Sequence, residues 1–147
     1  MQVEPLGPWV GDVVGPPPGL DANNASLVVR ATYAGHSVLF TGDIGVDGEA
    51  ELVARGETGL AIASDIVKVP HHGSRTSSGD EFLAAVQPSM AVVSVGKHNT
   101  FHLPSSATLA RYAARGARVR RTDLEGAVTV AVDAQGRLSV TCVRGCP

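Results

Sequence analysis

Short apolar runs alternate with helical segments through the middle of this chain, and this alternation limits the folds open to it. Strand-like runs at residues 66–69 and 90–95 are separated by a helical segment, and another helix and strand follow. The second run is apolar throughout, which is typical of a strand buried on both faces of a sheet. Strands that alternate with helices predict an α/β fold with a parallel core.

Hairpin patterns lie on both sides of this middle region, so we predict an α/β (α+β) domain whose mixed sheet has flanking helices. Strands are predicted at 26–33, 37–40, 66–69, 90–95, 119–122, 128–132 and 138–143. Helices are predicted at 48–55, at 78–86 after an S-x-x-E capping box that begins at Ser78, and from Ser105 or Ser106 to Arg115.

The N-terminal residues 1–23 are predicted to be an irregular lead-in segment, and residues 24–147 to be the ordered domain. Residues 15–19 read Gly-Pro-Pro-Pro-Gly, and proline removes backbone donors and fixes φ, which excludes a helix or a central strand there. A length of 147 residues with 44% hydrophobic residues favours one globular domain. For Cys142 and Cys146 we expect two free thiols, with a local disulfide as the alternative.

Composition also narrows the classes of function. A net charge of −2 and an aromatic content of 4% disfavour general nucleic-acid steering and a base-stacking platform. The sequence has no apolar run of about 18 residues and no signal peptide, so we predict a soluble segment in an undetermined compartment. Five arginines between residues 111 and 121 are interpreted as a solvated face, with a phosphate-binding patch as the alternative.

Polar residues of ligand type follow three of the predicted strands. Asp43 follows the first, His71 and His72 follow the second, and the stretch from Lys97 to His102 follows the third. Sites in open α/β sheets form outside the carboxyl ends of strands, so these side chains are predicted to converge. The alternatives are that Asp43 is a turn or N-cap residue and that the histidines are exposed loop residues.

The segment after the double histidine has the composition of a phosphate-binding loop. Gly73 permits a close backbone approach, and hydroxyl donors follow it. Ser74 and Thr76 are candidate substrate-binding residues together with Lys97, and Ser77 and Ser78 offer further hydroxyls.

Taken in order, these motifs resemble a known family. They are N-x-S-L-V-V-R at 24–30, L-F-T-G-D at 39–43, D-I-V-K-V-P-H-H-G-S-R-T-S-S at 65–78, V-V-S-V-G-K-H-N at 92–99 and R-T-D-x-x-G-A at 121–127. The chain resembles the C-terminal half of the metallo-β-lactamase-like domain of ComEC competence proteins, over roughly residues 24–132.

The resemblance implies two sheets between helices, an αββα sandwich of which this chain is part. It also implies a two-metal phosphodiesterase, using Zn or Mn, that cleaves DNA during natural transformation and is attached to a membrane channel domain in the bacterial inner membrane. In that family Asp43 matches the aspartate that bridges the metals, and His102 lies where the last metal-binding histidine is expected. The family usually has Gly-His-Pro there, whereas this chain has Phe-His-Leu-Pro. His71 and His72 match the double histidine beside the metals and are the candidate catalytic residues.

The H-x-H-x-D-H run that supplies most metal ligands in this superfamily is not found before Asp43. We therefore expect a fragment or half-domain whose missing N-terminal half carries those ligands. Such a half is expected to bind metal weakly or not at all, to be inactive as a nuclease on its own, and to self-associate through surface that its other half would cover. Hydrolysis of another ester or lactone, and non-catalytic binding of DNA or a partner, are the alternative functions.

Overall fold

The computed structural model describes residues 1–7 and 21–146. The eight strands of these residues are β1 (Gln2–Gly7), β2 (Val28–Tyr33), β3 (His36–Phe40), β4 (Ile66–Lys68), β5 (Met90–Val93), β6 (Arg118–Arg121), β7 (Val128–Val132) and β8 (Leu138–Cys142). The helices are α1 (Val46–Glu57), α2 (Asp80–Val86), α3 (Ser106–Ala114) and α4 (Thr122–Glu125), and a short turn at Pro70–Gly73 follows β4.

Strands β1 to β6 form one sheet in the order of the chain. The pairs β1–β2 and β2–β3 are antiparallel, whereas β3 to β6 run parallel to one another. Strands β7 and β8 form a separate antiparallel hairpin. The predicted mixed sheet with flanking helices is therefore confirmed, and the parallel part brings the carboxyl ends of four strands to one edge.

One face of the large sheet carries the main core. The strand register aligns Leu39, Val67 and Ala91 across β3, β4 and β5, and all three are fully buried. They cluster with Phe82 of α2 and Tyr112 of α3. This face is thus closed by helices, which explains why the central strands are apolar at these positions.

The opposite face of the sheet is only partly covered. Ile66 and Met90 lie on that face and are each 2% exposed. In contrast, Val3, Tyr33 and Phe40 on β1 to β3 are 54%, 40% and 48% exposed. The β7–β8 turn reaches the β2–β3 turn, where His36 Nε2 and the Gly136 carbonyl oxygen lie 2.9 Å apart in a hydrogen bond. An apolar strip on β1 to β3 therefore remains open to solvent.

The prediction of an irregular lead-in is wrong for residues 2–7, because they form β1. This strand pairs with β2, and its register shifts between Pro5 and Gly7. Proline is tolerated there because β1 is an edge strand, where a missing N–H removes no ladder hydrogen bond from the interior. The proline-rich stretch at 15–19 lies outside the described residues. The prediction of a domain beginning at residue 24 stays a prediction.

The predicted cap of helix α2 is also wrong. Ser78 does not cap α2: Gly79 is the N-cap residue, and the Ser78 hydroxyl lies 3.1 Å from the Tyr112 hydroxyl. The N–H groups at this helix start instead donate to the carboxylate of Glu49 on α1, from Gly79 at 2.8 Å and from Ser78. Carboxylates favour a helix N-terminus because of its partial positive charge. A distant residue thus replaces the local cap.

The cysteines form the disulfide that was the alternative expectation. Cys142 and Cys146 are bonded across a separation of four residues, so the prediction of two free thiols is wrong. Separately, the short helix α4 was not predicted, and it begins where the predicted strand 119–122 was expected to end.

None of the helices within residues 1–7 and 21–146 has the length and apolar character needed to cross a lipid bilayer.

Candidate metal and phosphate site

Asp43 and His72 meet at the carboxyl edge of the parallel strands. Asp43 follows β3 and His72 follows β4, and His72 Nε2 lies 3.4 Å from Asp43 Oδ1. Both residues are partly exposed at this edge, with side-chain exposures of 39% and 42%. The parallel register of β3 and β4 is what brings two residues 29 positions apart into contact.

The turn that carries Asp43 is fixed by two hydrogen bonds and by one close approach at a glycine. Thr41, which is fully buried, donates its hydroxyl hydrogen to the Lys68 carbonyl at 2.7 Å. The Asp43 N–H donates to Ser26 Oγ at 3.0 Å. Gly42 has φ +55°, and a Cβ at that position would lie 2.5 Å from Ser26 Cβ. Only glycine allows this close approach, so the T-G-D sequence places the Asp43 carboxylate rigidly.

The double histidine is held in an uncommon backbone conformation. His71 and His72 have φ of 48° and 53°, and Gly73 follows at +84°. Two consecutive residues with side chains in the left-handed region cost on the order of 1–3 kcal/mol each, a strain that clusters at functional sites. This strain turns the chain sharply after β4 and directs the His72 ring toward Asp43.

The orientation of the His72 ring is set by its other nitrogen. His72 Nδ1 lies 2.6 Å from the carbonyl oxygen of Ser94. A carbonyl can only accept, so Nδ1 carries the hydrogen, and in the neutral ring the lone pair of Nε2 faces Asp43. Imidazoles that bind metals usually donate their second N–H to a carbonyl or carboxylate in this way. His72 is therefore arranged as a candidate ligand beside Asp43, a role in addition to the catalytic one predicted from sequence.

Lys68 is a site residue that the sequence predictions missed. Its Nζ lies 3.7 Å from Asp43 Oδ1 and donates to the carbonyl oxygens of Gly42 at 2.8 Å and Val69 at 3.3 Å. Burial lowers the pKa of Lys68, and the neighbouring Asp43 carboxylate acts in the opposite sense. A single lysine inside the apolar run at 66–69 was the signal that could have identified it, because a half-buried lysine needs a partner.

The hydroxyls after Gly73 divide into two groups. Ser74 Oγ and Thr76 Oγ1 lie 2.9 Å apart, with Thr76 exposed, so they remain candidates for binding a phosphate. Ser77 is buried and donates to backbone carbonyls, including that of Pro70 at 3.0 Å. Ser78 is also buried, so the expectation that Ser77 and Ser78 offer hydroxyls to a phosphate is wrong.

Helix α3 holds this hydroxyl-rich loop in place. Arg111 donates from Nε to the Ser78 carbonyl and from Nη2 to the Ser77 carbonyl, each at 2.7 Å. Thr108 donates its hydroxyl hydrogen to the Ser74 carbonyl at 2.8 Å. The loop is thus anchored through its backbone, which leaves the hydroxyls of Ser74 and Thr76 at its outer side.

The arginine cluster is largely engaged within the chain. Arg111 binds loop carbonyls, and three others have carboxylate partners, namely Arg115 with Asp80, Arg120 with Glu125, and Arg121 with Asp123, at 2.9, 3.9 and 2.6 Å. Arg118 is exposed at the start of β6. These contacts favour a structural and solvated role over a continuous phosphate-binding patch.

The loop after β5 carries Lys97 and His102, both exposed to solvent. Asn99 ties the loop together, since it donates to the Leu103 carbonyl and accepts from the Leu103 N–H, both at 2.8 Å. His102 has φ 56° and precedes a cis peptide bond between Leu103 and Pro104. This loop therefore has a defined shape next to the double histidine, since the Ser105 N–H donates to the Gly73 carbonyl at 2.8 Å.

Metal-ligand geometry separates Asp43 and His72 from His102. Within residues 1–7 and 21–146, one group of three potential ligands has all its ligand atoms within 4.8 Å of one another, and it comprises Glu125, Cys142 and Cys146. Asp43, His72 and His102 do not form such a group. The pair of Asp43 and His72 fits part of a divalent metal site, because it offers a carboxylate and an oriented imidazole. Zinc sites usually take three or four protein ligands, so this pair alone is incomplete.

Comparisons with known proteins identify the family. The model of the metallo-beta-lactamase superfamily matches residues 10–98. The chain is 39% identical over 106 residues to ComE operon protein 3 of Bacillus subtilis, covering 72% of this chain and 13% of that protein. It is 41% identical over 109 residues to competence protein ComA of Neisseria gonorrhoeae, covering 74% of this chain and 16% of that protein. Recombination protein 2 of Haemophilus influenzae is 32% identical over 108 residues, covering 74% of this chain and 13% of that protein.

These matches confirm the resemblance to ComEC competence proteins, and the chain spans only about 13–16% of the length of the relatives named above. Members of the matched superfamily generally bind divalent metal ions. With its mixed sheet, its flanking helices and its T-G-D and H-H-G turns at one sheet edge, this chain belongs to the metallo-beta-lactamase superfamily.

Proposed function

We propose that this chain is part of a metal-dependent phosphodiesterase that cleaves DNA, within a longer competence protein of the ComEC family. The observation that carries the proposal is the contact between Asp43 Oδ1 and His72 Nε2, 3.4 Å apart, at the carboxyl edge of the parallel strands. The competence names of the relatives support a role in this process, and their length supports a parent protein with further parts. DNA as the substrate and a channel domain in the bacterial inner membrane are part of the proposal.

In this proposal Asp43 and His72 hold divalent cations, Zn or Mn, together with ligands from the preceding half of the domain. His102 remains a proposed further ligand. Bound cations would stabilise negative charge on the phosphodiester and lower the pKa of water. Asp43 is held in position by the backbone contacts of its turn and by Lys68, so its carboxylate needs little rearrangement to accept cations.

The remaining residues are proposed to act on the substrate directly. His71 is the proposed proton donor to the leaving oxygen, and His72 is the alternative donor if the cations are held by Asp43 and other ligands. Ser74 and Thr76 would donate hydrogen bonds to non-reacting phosphate oxygens, and Lys97 would contribute positive charge from the neighbouring loop. All five residues lie on two loops that contact each other at the Gly73 carbonyl.

The direct test is cleavage of DNA by the full-length parent protein in the presence of Mn²⁺ or Zn²⁺. Asp43→Ala is expected to lower the rate by roughly 100-fold or more, the scale of loss seen when a group that stabilises the transition-state charge is removed. Asp47→Ala is the matched control, because Asp47 is an exposed carboxylate in the first turn of α1. Equal rates for the Asp43→Ala variant and the wild type would refute the proposal.

For the chain on its own we propose that nuclease activity is absent, because Asp43 and His72 provide too few ligands for tight binding of two cations. The experiment is a cleavage assay with the purified 147-residue chain over a range of Mn²⁺ and Zn²⁺ concentrations. Robust metal-dependent cleavage that disappears in Asp43→Ala would overturn this part of the proposal while supporting the role of Asp43.

A second candidate function is binding without catalysis, and the uncovered sheet face favours it. Val3, Tyr33 and Phe40 form an apolar strip on β1 to β3, which suits contact with a protein partner. Calorimetry separates the two functions. Salt-sensitive DNA binding by the parent protein without metal binding would favour the non-catalytic function.

A further inference from the structure

We propose that Glu125, Cys142 and Cys146 form a second metal site, suited to Zn²⁺, that opens when the disulfide is reduced. Its ligands are two thiolates and one carboxylate, a set that suits a borderline-soft divalent cation. The proposal does not depend on the proposed nuclease function, because none of these residues belongs to the Asp43 and His72 pair.

The three ligand atoms are already gathered. All of them lie within 4.8 Å of one another, and Cys142 Sγ is 3.0 Å from Glu125 Oε2. In a tetrahedral zinc site, ligand atoms at bond lengths of about 2.0–2.3 Å lie roughly 3.5–3.8 Å apart. The sulfur atoms must therefore separate by about 2 Å once their bond is broken, while the carboxylate needs only a small adjustment.

The backbone around the cysteines keeps the site folded in either redox state. The Val143 N–H donates to the Ala127 carbonyl at 3.1 Å, and the Arg144 N–H donates to the Glu125 carbonyl at 2.9 Å. These bonds tie the turn after β8 to the residues between α4 and β7. Cys142 and Glu125 therefore stay close when the disulfide opens.

One carboxylate oxygen of the buried Glu125 side chain faces a sulfur atom of the disulfide. Glu125 is 6% exposed, and its Oε1 accepts from the Arg121 N–H at 3.3 Å and lies 3.9 Å from Arg120 Nη1. Its Oε2 faces Cys142 Sγ. A disulfide sulfur carries no hydrogen, so in the oxidised chain that sulfur offers Oε2 no donor. A buried carboxylate oxygen that accepts no hydrogen bond from its neighbour costs free energy, and a thiol hydrogen or a bound cation at the sulfur would remove this cost.

The chemistry balances with a dithiol as the reductant. The S–S bond breaks, two electrons and two protons from the dithiol convert the two sulfurs into thiols, and the dithiol becomes a disulfide. Zn²⁺ then displaces both thiol protons to the solvent, because the thiolate is the metal-binding form. Two thiolates and the carboxylate carry three negative charges against two on the cation, and the guanidinium group of Arg120, 3.9 Å from Glu125 Oε1, offsets the remainder.

Co²⁺ is the probe of choice, because thiolate ligation to Co²⁺ produces a charge-transfer absorption that histidine and carboxylate ligands do not. The full chain carrying Asp43→Asn, which weakens cation binding at the other site, is reduced with a dithiol, desalted without oxygen and titrated with Co²⁺, followed by displacement with Zn²⁺. One equivalent of Co²⁺ with the charge-transfer band is expected after reduction, and no band is expected in the oxidised chain. This comparison needs no cysteine variant, so it does not depend on a variant's folding.

Variants identify the ligands. Cys142→Ser is expected to abolish the band, and Glu125→Gln is expected to keep a band while weakening Co²⁺ affinity at least about 10-fold, the lower end of the cost of losing a supporting group. Absence of the band in the reduced chain, or an undiminished band in Cys142→Ser, would overturn the proposal. Unchanged affinity in Glu125→Gln would overturn the three-ligand site.

Discussion

Replacing Gly73 with alanine tests whether the double-histidine turn is fixed by its contact with the neighbouring loop. Gly73 has φ +84°, and a Cβ there would lie 2.6 Å from Pro104 Cβ and 3.2 Å from Pro104 Cα. Gly35 in the β2–β3 turn has the same φ of +84°, with no atom within 4 Å of an added Cβ. The two glycines therefore share the same φ and differ in crowding, which makes Gly35→Ala a matched control.

The expected losses of stability follow from the backbone conformation and from the crowding of the added Cβ. An L-residue in the left-handed region costs about 1–2 kcal/mol, so Gly35→Ala should lower the free energy of unfolding by about that amount. Gly73→Ala has the same cost and adds overpacking against a rigid proline ring, typically about 1–3 kcal/mol. The total for Gly73→Ala is then roughly 2–5 kcal/mol, corresponding to a fall in Tm of about 2–4 °C per kcal/mol for a chain of this size.

Urea unfolding of the 147-residue chain at 25 °C, followed by far-UV circular dichroism, measures both variants against the wild type. Equal slopes against urea concentration would show that each variant exposes the same surface on unfolding. If Gly73→Ala is no less stable than Gly35→Ala, the Pro104 contact does not constrain the turn and the reasoning is refuted.

Three further predictions concern stability and association. Glu49→Gln should lower the free energy of unfolding in urea by about 1–3 kcal/mol, because the N–H of Ser78 or of Gly79 loses its acceptor. Glu51→Gln is an exposed control on the same helix and should change the free energy of unfolding by about 0.5 kcal/mol or less. Burial raises the pKa of Asp65, but hydrogen bonds from Ser37 outweigh burial and hold this pKa below its ordinary value. The Asp65 carboxylate should therefore stabilise the fold relative to Asp65→Asn at neutral pH, and this stabilisation should disappear as the pH falls through the lowered pKa. The wild-type chain should self-associate in sedimentation velocity through its apolar strip, and Phe40→Lys should reduce this association, whereas a clean wild-type monomer at high concentration would contradict the prediction.

The sequence was sufficient to predict the parallel strands and the edge where the site forms. The apolar runs that begin at residues 66 and 90 correspond to β4 and β5. The polar residues that follow these strands lie at the same edge of the sheet, because parallel strands share a direction. The meeting of Asp43 and His72 follows from that rule alone. Strand ends differed from prediction by one or two residues at most sites, as local propensity does not fix where pairing stops.

Three of the missed features depend on contacts between distant parts of the chain. Glu49 caps α2 from a different helix, so the S-x-x-E pattern at Ser78 predicted the wrong acceptor. Lys68 was not predicted as a site residue, because its contact with the Gly42 carbonyl joins two separate strand ends. Residues 2–7 were included in the irregular lead-in that the proline-rich stretch at 15–19 predicts, and only their pairing with β2 reveals an edge strand in which Pro5 is tolerated.

Strands β3 to β6 are neighbours in the sheet and consecutive in the chain, and this has a consequence for how the protein is made. Bringing Asp43 to His72 requires closing only the short segment between them, and the entropy cost of loop closure grows slowly with segment length. The His72 ring gains its fixed orientation once Ser94 has joined the sheet. During synthesis on the ribosome, this corner of the molecule can therefore assemble before the C-terminal hairpin has left the exit tunnel.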